Sequence, residues 1–80
     1  MTDSHIQSLT AALKLSPDNL PLRMLLVKSL FDNDEAETAA RYLEEVSNEE
    51  IDQREHQVLA ADVYLAVGKP AKAIVFLTGD

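Results

Sequence analysis

The chain has no cysteine and no tryptophan, only two glycines and three prolines, and aromatic residues fill just 5% of its 80 positions. Without cysteine there are no disulfide frameworks, thiolate zinc sites or cysteine nucleophiles, and a reducing compartment, the cytoplasm, is the expected setting. Positive charge is scarce as well: 7 Lys and Arg face 14 Asp and Glu, a formal net charge of -7. A surface of that sign repels phosphate, so neither nucleic acid nor an anionic membrane is expected as a partner. Long hydrophobic runs are missing too. The most apolar stretch, Val58 to Val67, is interrupted by Asp62 and is too short for a hydrocarbon core of about 30 Å. Met1 to His5 carries no basic region ahead of an apolar one, so no signal peptide is expected.

Catalytic signatures are equally absent. There is no Gly-x4-Gly-Lys phosphate loop, no Gly-x-Ser-x-Gly elbow and no His-Glu-x2-His pair. The histidines are His5 and His56, and Asp52 stands four residues before His56, the spacing of two metal ligands on one helix face, with no third ligand nearby. Capping and surface solvation account for these residues. Glu44-Glu45 and Glu49-Glu50 are neighbours in sequence and point in different directions on a helix, which does not suit a catalytic carboxylate pair. No enzyme, no cofactor and no metal site are expected.

What the chain does have is 46% hydrophobic residues within one small domain, a size that favours local connections over long crossovers. Its few prolines and glycines fall at junctions: Pro17 and Pro21, then Gly68 and Pro70, then Gly79. Between them five helices are read. The first covers about residues 4 to 15, with Ser4 and Gln7 as a capping box and Ile6, Leu9, Ala12 and Leu13 on one face. The second starts after Asn19, tolerates Pro21 in its first turn, carries Leu22, Leu25, Leu26 and Leu30, and runs to about Asn33. Asp34 with Glu37 is expected to cap a third, with Ala36, Ala39, Ala40, Leu43 and Val46 as its buried side and an end near Ser47. After a connection at Asn48 to Ile51, Asp52 with Glu55 offers a box for a fourth helix that stops at Gly68. Pro70 opens a fifth holding Ala73, Ile74, Phe76 and Leu77, which Gly79 ends. No sustained two-residue alternation is present, so no strand is expected.

Sliding the chain against itself by 34 residues pairs Leu30 with Tyr64, Asp34 with Gly68, Ala39 with Ala73, and Leu9 with Leu43 and Leu77. A period covering two helices and two turns marks a helix-turn-helix repeat. Within it, Leu26-Val27-x2-Leu30 and Ala60-Ala61-x2-Tyr64 resemble the Leu-Gly-x2-Tyr of the tetratricopeptide (TPR) family, and Ala39-x3-Leu43-x2-Val46 and Ala73-x3-Leu77 resemble its Ala-x3-Phe-x2-Ala. Leu9-x2-Ala12-x4-Pro17 is similar to the end of an earlier unit. Arg23 and Gln57 stand where the family often has Trp, Val27 replaces its close-packing Gly, and Ile51 stands where Pro17 would lead one to expect proline. The resemblance implies an all-α fold of antiparallel helix-turn-helix repeats stacked as a short right-handed solenoid, one domain over 1–80 made of a half repeat (4–17) and two repeats (20–51 and 52–79). The chain is also expected to be the N-terminal part of a longer protein.

The family binds other proteins on the concave surface lined by the first helix of each repeat, so the resemblance implies a protein-interaction module with a scaffold or adaptor role. Helical spacing places Met24, Lys28 and Phe31 of the second helix and Val58, Asp62 and Leu65 of the fourth on that side, with Pro21 and Glu55 at the rim. Lys28 and Asp62 are expected either to pair across the groove or to orient a bound peptide. The clamp of Lys, Asn and Arg by which some members hold a terminal dicarboxylate is not expected, because its asparagines are missing and Asp62 repels such a ligand. A helical or extended segment with an apolar face fits better. Residues 32–55 hold ten acids against Arg41 and Arg54, a local net of -8, which keeps the surface solvated or attracts a basic partner. The fifth helix is apolar almost all round, and a homodimer that buries Ile74, Val75 and Phe76 is the alternative reading.

Overall fold

A computed structural model of the chain describes residues 2–77, with side chains from His5 onward. It is all-α: α1 (Thr2–Leu15), α2 (Leu20–Asp32), α3 (Ala36–Glu44), α4 (Arg54–Ala66) and α5 (Pro70–Leu77), with one turn of 3-10 helix (Asn48–Glu50) ahead of α4 and no strand among the described residues. The Ser4 half of the first capping box and the stop at Gly79 lie outside the described residues.

Local chemistry explains most of the boundaries. Asn19 caps α2, its side-chain oxygen accepting the Leu22 N–H at 3.1 Å, and Pro21 sits in the first turn where its missing N–H is not needed. Asp34 does not cap α3 as expected. It adopts a left-handed φ of 63° and closes α2, with the Glu35 N–H donating to the Leu30 carbonyl at 2.9 Å and its own N–H to Phe31 at 3.2 Å. Gly68 does the same for α4 at φ 76°, with Lys69 N–H to Tyr64 at 2.8 Å and Gly68 N–H to Leu65 at 3.2 Å. Both are Schellman turns, in which a left-handed residue and the residue after it each donate an N–H to a carbonyl of the last helical turn. Every atom of the second turn comes from a residue 34 positions after its counterpart in the first.

The other expected box also moves. Gln53, not Asp52, precedes α4, and it makes no side-chain cap. The Ser-x2-Glu pattern is used one turn earlier, where the Glu50 carboxylate accepts from the Ser47 N–H at 3.3 Å and its hydroxyl at 3.2 Å. α3 ends at Glu44, sooner than the expected Ser47, and leaves Val46 half-buried in the connection.

Each helix packs mainly on the one before and the one after it, and α2 also touches α4. Ala39, Ala60, Ala61 and Ala73 are fully buried, so small residues sit where helices come closest, and Leu26, Val27, Leu43 and Val63 fill the spaces between. Arg23 and Gln57 take matching roles despite their different chemistry. Arg23 donates to the Pro17 carbonyl at 3.2 Å and Gln57 to the Ile51 carbonyl at 3.1 Å, each reaching six residues back to the end of the preceding connection. Arg23, nearly buried, also donates to the Tyr42 carbonyl at 3.1 Å and to the Glu45 carboxylate, which ties α2 to α3.

Candidate functional site

A cleft of about 590 Å³ opens between α2 and α4. Its lining is built from four pairs of residues that are each 34 apart: Pro21 with Glu55, Met24 with Val58, Leu25 with Leu59, and Lys28 with Asp62, joined by Arg54 and His56 from the first turn of α4. One face of α2 therefore supplies one wall and one face of α4 the other.

Met24 is 2% exposed and forms the floor, while Leu25 and Val58 remain 48% and 44% exposed and form apolar walls open to solvent. Lys28 and Asp62 stand at the lip. They do not pair: the Lys28 ammonium bonds Asp32 at 3.2 Å, one turn along its own helix, and Asp62 makes no ion pair among the described residues. An i,i+4 partner is held in reach by the helix itself, whereas Asp62 lies on the facing helix. Inside the cleft lining, the His56 Nδ1 is buried with no hydrogen-bond partner. Phe31 and Leu65 do not line the cleft. They lie beyond its end, where their carbonyls accept the Asp34 and Gly68 N–H groups of the two turns. Leu25 and Leu59 were not among the expected residues, although their 34-residue spacing marks them as a pair. Arg54 and His56 carry no such mark.

The fifth helix divides differently from the expectation. Ile74 and Val75 are 54% and 49% exposed, but Phe76 is buried, its ring stacked on Tyr64 with centroids 6.1 Å apart and planes 9° from parallel. Phe76 is thus a core residue and not part of a free face. Beside it, Glu44 accepts from Lys69 at 2.9 Å and Lys72 at 3.0 Å, and these two ammonium groups lower its carboxyl from 4.5 to about 2. The Lys72 ammonium also lies 5.6 Å from the centre of the Tyr64 ring, and burial, with the Glu44 charge, raises the Tyr64 hydroxyl above its ordinary value of 10.0. Glu45 turns the other way, to Arg23, so adjacent acids serve opposite neighbours.

Asp52 lies ahead of α4 rather than on it, and among the described residues no group of three His, Cys, Asp or Glu side chains is placed to hold a metal. No described helix is long and apolar enough to cross a membrane. Comparison with known proteins gives no match: no family model, curated protein or solved structure is significantly similar to this chain.

Proposed function

We propose that the chain is a protein-interaction module that binds a helical or extended peptide segment in the cleft between α2 and α4. The observation that carries this reading is the construction of the cleft. Equivalent residues of two repeats line it, with apolar walls left half open and unpaired polar groups around them. Burying the exposed parts of Leu25 and Val58 under an apolar side chain is favourable by about 25 cal/mol for each Å² removed from water. Asp62, on the lining and in no ion pair among the described residues, is a carboxylate free to orient what binds. The likeness of the repeat pattern to the TPR family supports the same reading, with a scaffold or adaptor role in the cytoplasm. A segment with an apolar face and basic flanks suits the -7 charge of the chain.

The test is selection from a displayed random-peptide library on the chain, followed by affinity measurement with Val58→Asp and with the double reversal Lys28→Glu, Asp62→Lys. Selected peptides are expected to lose about tenfold or more in affinity with Val58→Asp and to change charge preference with the double reversal. A library that yields no binder, or binders indifferent to both changes, refutes the proposal.

A further inference from the structure

We infer that Asp62 is the residue that reads charge in the cleft, taking a lysine or arginine side chain of the bound segment one helical turn from the apolar residue seated over Met24, and that Asp32, outside the cleft, keeps Asp62 free by holding Lys28. This rests on the cleft being a peptide site. It adds the residue that sets the charge of the ligand and the residue that positions its competitor.

The layout of charge carries the first half. Lys28, Arg54, Glu55 and Asp62 stand on the lining, two of each sign, but they are not evenly placed. Arg54 and Glu55 are neighbours in the first turn of α4 and oppose each other there. Asp62 comes seven residues after Glu55, about 10.5 Å further along the helix axis, and a Debye length at physiological salt is about 8 Å. The first turn is therefore largely screened from Asp62. The lining cation opposite Asp62 is Lys28, whose ammonium is bonded to Asp32 at 3.2 Å. Asp62 is exposed and makes no ion pair among the described residues, so this lip of the cleft carries one uncompensated carboxylate.

The second half follows from the rivalry of two acids for one ammonium. α2 touches α4, and packed helices lie about 8–10 Å apart, a gap that a lysine and an aspartate side chain can span between them. Lys28 takes Asp32 because the helix itself holds an i,i+4 partner in reach. Asp32 is not on the lining. It therefore acts on the ligand through Lys28, as a positioning residue. Both side chains of this pair are more than half exposed, and such a pair shifts an equilibrium by about twofold, enough to bias the ammonium without locking it.

Geometry fixes the spacing the ligand needs. Val58, an apolar wall over the Met24 floor, lies four residues before Asp62 on the same face of α4, about 6 Å along the axis. A ligand that matches both presents an apolar side chain and a cation about 6 Å apart. Four residues span that distance in a helix, and two in an extended segment.

The test uses the peptides that the library selects on the cleft, each compared with a copy whose lysine or arginine is replaced by norleucine, which keeps an apolar stem and drops the charge. The charged form is expected to bind about fivefold more tightly. Moving the cation by one residue should remove that preference, because it turns the side chain away from the cleft. Asp62→Asn should abolish the preference, and Asp32→Asn should reduce it by about twofold, because the released ammonium then competes for Asp62. In a Lys28→Met background Asp32→Asn should change nothing, which separates an action through Lys28 from a general loss of negative charge. Selected peptides that lack a cation, or a preference that survives Asp62→Asn, overturn the inference and leave the peptide reading of the cleft in place. An Asp32→Asn effect that is as large without Lys28 as with it, or absent in both, overturns the role of Asp32. A library without binders refutes the peptide reading itself, and the inference falls with it.

Discussion

Replacing Gly68 by alanine and Asp34 by glycine tests one backbone feature in opposite directions. Gly68 stands at φ 76° and Asp34 at φ 63°, each closing a helix by the same pair of hydrogen bonds. A Cβ at Gly68 meets nothing within 4 Å, so its cost is conformational and not steric. Left-handed backbone costs a side-chain-bearing residue about 1–2 kcal/mol, and a stiffer unfolded chain offsets about 0.4–1 kcal/mol of that, which leaves a loss of about 1 kcal/mol for Gly68→Ala. At Asp34 the balance reverses. Relief of the left-handed strain is worth about 1 kcal/mol, removing an acid from the negative end of α2 adds about 0.3–1 kcal/mol, and the freedom of glycine in the unfolded chain subtracts about 0.5–1 kcal/mol. Asp34→Gly should therefore stabilise by about 0.5–1 kcal/mol, and in a domain of this size 1 kcal/mol moves Tm by about 4–8 °C. Urea unfolding followed by far-UV circular dichroism reads both changes as shifts in midpoint with the slope unchanged. Asp34→Asn isolates the charge component, a gain that high salt should abolish. A neutral or stabilising Gly68→Ala refutes the left-handed turn at 68. A destabilising Asp34→Gly refutes the equivalence of the two turns.

Phe76→Ala should cost about 3–5 kcal/mol, a large share of the total stability of an 80-residue domain, whereas Ile74→Ala should stay within about 0.5 kcal/mol; thermal unfolding of the two side by side reads the difference between the buried and the outward face of α5. The Glu44 carboxyl should titrate at about 2 by NMR, well below the ordinary 4.5. Because its folded value is the lower one, its contribution to stability is present above pH 4.5 and is lost as pH falls from there towards 2. Glu44→Gln should remove that part of the acid sensitivity, and high salt should weaken it, since the side chain is 34% exposed. Tyr64 shows the opposite sign: its raised hydroxyl favours the neutral form in the fold, so stability should fall as pH rises above 10, the loss read by absorbance titration and removed in Tyr64→Phe.

How far the sequence foretells the structure differs from one residue to the next, for physical reasons. Asn19 and Gly68 were legible because each residue type answers a single backbone need, an acceptor for free N–H groups or a left-handed turn. Asp34 was misread because an acid three residues before Glu37 looks like a capping box, while α2 had no glycine at its end and recruited the aspartate instead. Its 34-residue match to Gly68 already held the clue. The walls of the cleft could be read from helical spacing, since Met24, Lys28, Val58 and Asp62 recur on one face. The ion pair could not, because spacing alone does not rank Asp32 against Asp62 as the partner of Lys28. Phe76 was placed on the wrong side of α5 because a helix apolar all round has no periodicity to show its inward face. The stack on Tyr64 decides that face.

The two walls of the cleft are held by different chemistry, and the difference lies outside the cleft. α2 is fastened on both flanks: Arg23 reaches back to the Pro17 carbonyl and forward to Tyr42 and Glu45 of the α3 region. At the equivalent place on α4, the amide of Gln57 reaches only back, to Ile51, and makes no described bond towards α5. What secures the far side of α4 is instead the Tyr64–Phe76 stack and the packing of Ala73, both towards the C-terminal end of the helix. The first turn of α4, which carries Arg54, Glu55 and His56 into the cleft, thus depends on the connection through the buried Ile51 and the Ser47–Glu50 box. Because the helices pack mostly on sequence neighbours, strain in that connection has few other contacts through which to spread. The α2 wall is thus tied to its neighbours by the polar bonds of Arg23 and the α4 wall by apolar packing on α5 and by the connection at Ile51, two different supports for one cleft.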